Sequence, residues 1–214
     1  MRSEAANPGR APTGRAFTLV ELLTVIVIML LLFGILMPTI SAVMRARQAM
    51  ATQVRISALD AGARAYRQDT GYYPGQQYAD QLAGTAGTYT GSQWLARALL
   101  TDMSFNFPTG AYTTYDPEML FDPTGGLPNS IADCFATKRA ILYFPSRLGL
   151  TDLTQFVLGD NSTYIGSAWS GSGWNSFIQD SRFGSGAPYN SGEFIIAAPG
   201  LDRSYGTSDD QKNF

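Results

Sequence analysis

The chain has 214 residues, with 15 Lys and Arg against 17 Asp and Glu, no histidine, and one cysteine, Cys134. That composition excludes Ser-His and Cys-His nucleophile pairs, the common zinc sites and any intrachain disulfide. A formal charge of −2 gives no reason to expect a nucleic-acid partner.

The first sixteen residues hold Arg2, Arg10 and Arg15 against Glu4, so the remainder carries −4. A long apolar run follows. From Ala16 to Met44 the one charged side chain is Glu21. A helix of about 20 residues spans the ~30 Å hydrocarbon core of a bilayer. A carboxylate inside such a segment is unfavourable unless something compensates it, which marks Glu21 as functional. Arg45, Arg47 and Arg55 lie just beyond the run, so basic residues flank both ends and charge alone does not orient it. Three plainer readings stay open. Ile40-Ser41-Ala42 has the small residues of a secretory cleavage site, but the run exceeds an ordinary signal of about 7–15 apolar residues. A plain single-pass anchor leaves Glu21 unexplained. A buried helix of a soluble protein would need a large core around it.

Within the run, Gly34 and Pro38 stand four residues apart. Proline removes the hydrogen bond to the Gly34 carbonyl and clashes with the preceding turn, so a kink or a static bend is expected there. After Pro38, Val43, Met50, Val54, Ala58, Ala61 and Ala65 recur at helical spacing and predict an amphipathic continuation. The helix should end at Thr70-Gly71, with Pro74 preventing continuation.

Phe17-Thr18-Leu19-Val20-Glu21-Leu22-Leu23, placed after a short basic leader and opening the apolar run, resembles the processing signal of type IV pilins and type II secretion pseudopilins. Asp69-Thr70-Gly71-Tyr72-Tyr73-Pro74 is similar to the end of the long helix in major pseudopilins. The resemblance implies an α+β pilin fold, with residues 1–16 a leader and residues 17–42 a membrane and filament-core helix. Residues 43–70 would be the amphipathic second half, and 71–214 a head with a small antiparallel sheet. It implies cleavage by a prepilin peptidase between Ala16 and Phe17, and methylation of Phe17. It implies pairing of Glu21 with the Phe17 ammonium of a neighbouring copy, and a kink at Gly34 and Pro38. Implied partners are further copies in a helical filament, the peptidase, an inner-membrane assembly platform and motor, and membrane lipid. The implied location is the inner membrane, head outside the cytoplasm, and after assembly a periplasmic or cell-surface filament. One departure stands out: the family's glycine before the cut is Ala16 here, and the glycine lies at Gly14. A minor pilin and a membrane-anchored binding module that never polymerises are the alternatives. No enzyme is expected, although Asp116 with Glu118 and Asp209 with Asp210 are paired acids.

Residues 75–214 are rich in turn signals, at 108–110, 116–117, 122–126 and 184–186. Ser92 to Leu100 predicts a short helix with Trp94, Leu95, Ala98 and Leu99 inward. Strands are predicted over 140–144, 154–158 and 193–198, and the stretch from Thr163 to Asn190 reads as a long surface loop, with Trp169 and Trp174 either packing it down or displayed. Asn161-Ser162-Thr163 is a formal glycosylation triplet. Asp202, Asp209 and Asp210 sit in a Gly- and Ser-rich segment, and clustered carboxylates suit Ca²⁺. Asp202 and Asp209 resemble the acidic pair of the pseudopilin calcium loop.

Overall fold

A computed structural model of the chain describes residues 17–85, 87–100, 112–113, 117–121, 130–169, 172–184 and 186–214. The leader with Ala16, the turns at 108–110 and 122–126, and Asp116 lie outside the described residues. The fold is mixed: one long helix, short helices and small antiparallel sheets. In chain order the elements are α1 (Leu19–Thr70), α2 (Gly91–Leu99), β1 (Leu120–Phe121), β2 (Ser130–Ile131), β3 (Leu142–Pro145), α3 (Ser162–Ile165), α4 (Gly173–Ile178), β4 (Phe194–Ala198) and β5 (Gln211–Lys212). The chain divides into two compact units, residues 1–43 and 44–214.

In the first unit, every described residue is solvent-exposed. Its part of α1 is apolar and long enough to cross a membrane by length and composition. The helix runs on through Gly34 and Pro38 without a break. Thr24, Thr39 and Ser41 donate their hydroxyls to the carbonyls of Val20, Ile35 and Met37, four residues earlier. That bonding lets polar side chains sit in an apolar helix without exposing an unmet donor.

In the second unit, α1 packs its other end into a core. The buried face is Thr52, Ile56, Leu59, Gly62, Ala63 and Tyr66. This corrects the predicted stripe: Met50 is 72% exposed and Val54 69%, and Ala58 and Ala61 also face solvent. Both stripes repeat at three and four residues, so periodicity permits either. Volume decides where the sheet packs: Ile56, Leu59 and Tyr66 bury far more apolar area than Ala58, Ala61 and Ala65 would. The helix ends at Thr70 as expected. Gly71 takes φ +84°, a left-handed conformation that glycine adopts freely, and its N–H donates to the Arg67 carbonyl.

The main sheet has the order β3-β4-β5, all antiparallel, with Tyr143 opposite Ile196 and Ala197 opposite both Leu142 and Lys212. Side chains alternate across a strand, so the sheet presents two faces. Tyr143, Phe194, Ile196 and Ala198 join Ile56, Leu59 and Ala63 of α1 and Leu95 and Leu99 of α2 in one core. Leu142, Phe144, Ile195 and Ala197 join Phe156, Ile165, Trp169, Trp174 and Ile178 in a second. β3 and β4 are therefore buried on both faces.

Two readings of this region are corrected. The span 154–158 is no strand. Its chain turns in short 3-10 helices at Leu153–Gln155 and Leu158–Asn161. Asp152 caps the first by accepting from the Thr154 N–H, and buried Gln155 ties the turn to Gly192 and Ser191. The stretch from Thr163 to Asn190 is no surface loop. It holds most of α3 and all of α4, and it packs Trp169 and Trp174 under the sheet, at 7% and 6% exposure. The Trp174 indole N–H donates to the Phe156 carbonyl at 3.1 Å. In α2, Trp94, Leu95 and Leu99 are buried as expected and Ala98 packs half-buried against the same core, where Ala96 is buried as well.

Candidate functional site

The candidate site lies at the start of α1. Thr18 and Glu21 form a reciprocal cap: the Glu21 N–H donates to Thr18 Oγ1 at 3.2 Å, and the Thr18 N–H donates to Glu21 Oε2 at 2.9 Å. The Thr18 hydroxyl donates to the same oxygen at 2.8 Å. Free N–H groups at a helix start need partners, and a Thr-x-x-Glu box supplies two of them. The spacing Thr18-Leu19-Val20-Glu21 carries this signal in the sequence, although the reading above assigned Glu21 only an intersubunit role. Glu21 thus has a task within its own helix as well. Oε2 is engaged, while Oε1 has no hydrogen-bond partner among the described residues. A carboxylate held this way at the positive end of a helix can accept a further cation without losing its cap.

Phe17 precedes the helix and is 80% exposed. From Leu19 through Met44 the large apolar side chains stay between 46% and 79% exposed. The site is therefore an acid at one end of an uncovered apolar rod, the chemistry of a helix that finds its partners outside its own chain. Among the described residues, Gly34 meets no atom from beyond its own stretch of helix within 4 Å of where a Cβ would stand.

The Tyr-Pro segment after α1 is more than a turn. Tyr73 stacks edge-on to Phe194 at 4.9 Å, its hydroxyl accepts from Arg67 at 2.9 Å, and the Pro74 carbonyl accepts from Tyr143. It fixes the end of the helix to the sheet.

The acidic loop folds on itself. The Asp202 N–H donates to Asp209 Oδ2, the Ser204 N–H to Asp202 Oδ1, and the Thr207 hydroxyl to Asp209 Oδ1. Gly206 and Thr207 N–H groups both donate to Asp210 Oδ2. Among the described residues no group of three or more His, Cys, Asp or Glu converges to hold a metal. One oxygen is left over: Asp210 Oδ1 is buried without a hydrogen-bond partner. Burial pushes the Asp210 carboxyl up to about 6, and the Asp209 and Asp202 charges add to the shift against the pull of the two N–H donors. Arg203, which the sequence set beside a candidate ligand, turns away and pairs with wholly buried Asp133 at 2.7 Å. The glycosylation triplet is closed off. Asn161 is buried, its Nδ2 donates to the Tyr143 carbonyl and its Oδ1 accepts from Ser92.

Comparison with protein-family models, with known proteins and with solved structures returns no match for this chain.

Proposed function

We propose that the chain is the structural subunit of a type IV pilus-like or type II secretion pseudopilus filament, made as a prepilin and assembled through the start of α1. One observation carries the reading: Glu21 is the sole charge from Ala16 to Met44, and it caps a helix whose large apolar side chains from Leu19 to Met44 are all uncovered. Cleavage before Phe17 would free an ammonium group one helical turn from Glu21. Within a staggered stack of helices, Glu21 Oε1 then receives the ammonium of a neighbouring copy. An unpaired buried charge is strongly destabilising and a paired one tolerable, so this pair fixes the register that apolar contacts leave free to slide. The flexible pair Gly34 and Pro38 lets the helix bend or unwind on packing. A Ca²⁺ ion at Asp202, Asp209 and Asp210 belongs to the same proposal, and there it would supply positive charge to Asp210 Oδ1.

The test is the N-terminal mass of the protein from its own membranes, with and without Glu21→Ala. The expected mature chain starts at Phe17 and carries one added methyl group. Glu21→Ala should abolish filaments while the subunit stays in the membrane. A chain beginning at Val43, or filaments unchanged by Glu21→Ala, would overturn the reading. Absence of filaments from the parent chain would favour the anchored module that never polymerises.

A further inference from the structure

The second unit carries a cationic groove that the filament reading does not use. Two adjoining cavities, of about 300 and 400 Å³, share Arg139, Tyr164 and Tyr205. Lys138, Thr137 and Thr163 line one, and Ser167, Ser204 and Arg203 the other. The walls are fixed. The Tyr205 hydroxyl donates to the Ala140 carbonyl at 2.7 Å, and the Tyr164 hydroxyl is bonded to Ser130. Arg203 is held too, by Asp133 and the Phe135 ring.

Two cations remain available. Lys138 and Arg139 are exposed, and neither has a carboxylate within ion-pair reach among the described residues. Lys138 Nζ donates one bond to the Glu118 carbonyl and keeps two N–H groups. The Arg139 side chain makes no hydrogen bond among the described residues, so its planar fork is open for bidentate binding of a carboxylate.

The backbone beside the groove is engaged. The Arg139 carbonyl accepts from Asp133, the Ala140 carbonyl from Tyr205, and Ile141 donates to the Ile131 carbonyl. An extended peptide therefore finds no free strand edge to join here. Recognition must run through side chains: an arginine fork, a lysine, flat tyrosine walls and hydroxyls of Thr137, Thr163, Ser167 and Ser204. That set matches a compact ring bearing hydroxyls and a carboxylate. We infer that this groove binds an acidic sugar, with the carboxylate on Arg139 and Lys138 and the ring between Tyr164 and Tyr205.

The test uses the full chain in nonionic detergent and tri-galacturonate as probe, with binding read by calorimetry. The expected result is binding that Arg139→Gln weakens at least tenfold and Lys138→Gln about threefold. Arg139→Lys should recover only part of it, because the charge returns without the fork. Arg47→Gln, an equal charge change on α1, should leave it unchanged, and uncharged maltotriose should not bind. Arg139 is exposed and has no ion-pair partner among the described residues, so its variants are expected to fold, and an unchanged melting temperature verifies this. No binding at low salt would overturn the inference. So would an equal loss in Arg47→Gln, or equally tight binding of penta-aspartate or double-stranded DNA, since each would reduce the groove to a general patch of positive charge.

Discussion

The two units treat apolar side chains in opposite ways. Between Leu19 and Val43 not one is covered, whereas β3 and β4 are covered on both faces by α1 and α2 on one side and by an aromatic cluster on the other. Hydrophobic burial of about 25 cal/mol per Å² holds the second unit together, and the same free energy is still unclaimed in the first. The second half packs inside the chain, and under the proposed function the first packs in lipid or against other copies. Glu21 fits this division, because its helix cap satisfies one oxygen locally and leaves the other for an external cation.

The contrast breaks most readily at Trp174. It touches Phe144 at 4.6 Å and Trp169 at 5.5 Å between ring centroids, and its indole N–H is bonded within the core. Trp174→Ala should destabilise the second unit by about 3–5 kcal/mol, read by thermal unfolding of the full chain in detergent. A loss below about 1 kcal/mol would restore the surface-loop reading of this segment.

A paired substitution on one helix sharpens the contrast. Leu59 is wholly buried and Leu30 is 66% exposed. Leu59→Ala should cost about 2–5 kcal/mol in the same measurement, and Leu30→Ala close to nothing. Leu30→Ala should act on assembly instead, if the uncovered helix is a packing surface. Equal thermal effects would mean that the first half is folded against something in its own chain.

Much of this division was legible in the sequence, and the reasons for the misses are physical. A continuous apolar run and a lone acid need no tertiary context, so the N-terminal helix and Glu21 stood out. Thr70-Gly71 ended the helix by local chemistry alone. The strands at Leu142–Pro145 and Phe194–Ala198 were found because β-branched and aromatic runs between turns are local signals. The inner face of α1 was misassigned because a 52-residue helix offers several stripes, and only the sheet selects Ile56, Leu59 and Tyr66. The second sheet face was missed because α3 and α4 have four and six residues, too short to show a period, and their glycines and serines read as loop. Asn161 shows the same limit: its triplet is visible, but its burial depends on Tyr143 and Ser92, far off in sequence.

The smallest effect concerns Asp210, a buried acid with one oxygen left without a hydrogen-bond partner. Asp210 sits at about 6 in the folded chain against an ordinary 3.8, so the folded state holds the proton more tightly than the unfolded one. The sign follows: stability falls as pH rises from about 4 to about 6 and is level above that, because ionising Asp210 is harder in the fold. The fall should be on the order of 1 kcal/mol, after allowance for partial solvent screening. Asp210→Asn retains an acceptor for the Gly206 and Thr207 N–H groups and removes the charge. It should flatten the pH profile and match or exceed the parent chain at pH 7. Adding Ca²⁺ to the parent chain separates two roles for the loop. A cation bound at the unpartnered Asp210 Oδ1 with Asp202 and Asp209 would favour the ionised form, flatten the profile without any substitution, and have no effect on Asp210→Asn. Should millimolar CaCl₂ leave both profiles unchanged, the loop closes through its own N–H donors alone and the calcium part of the proposal falls.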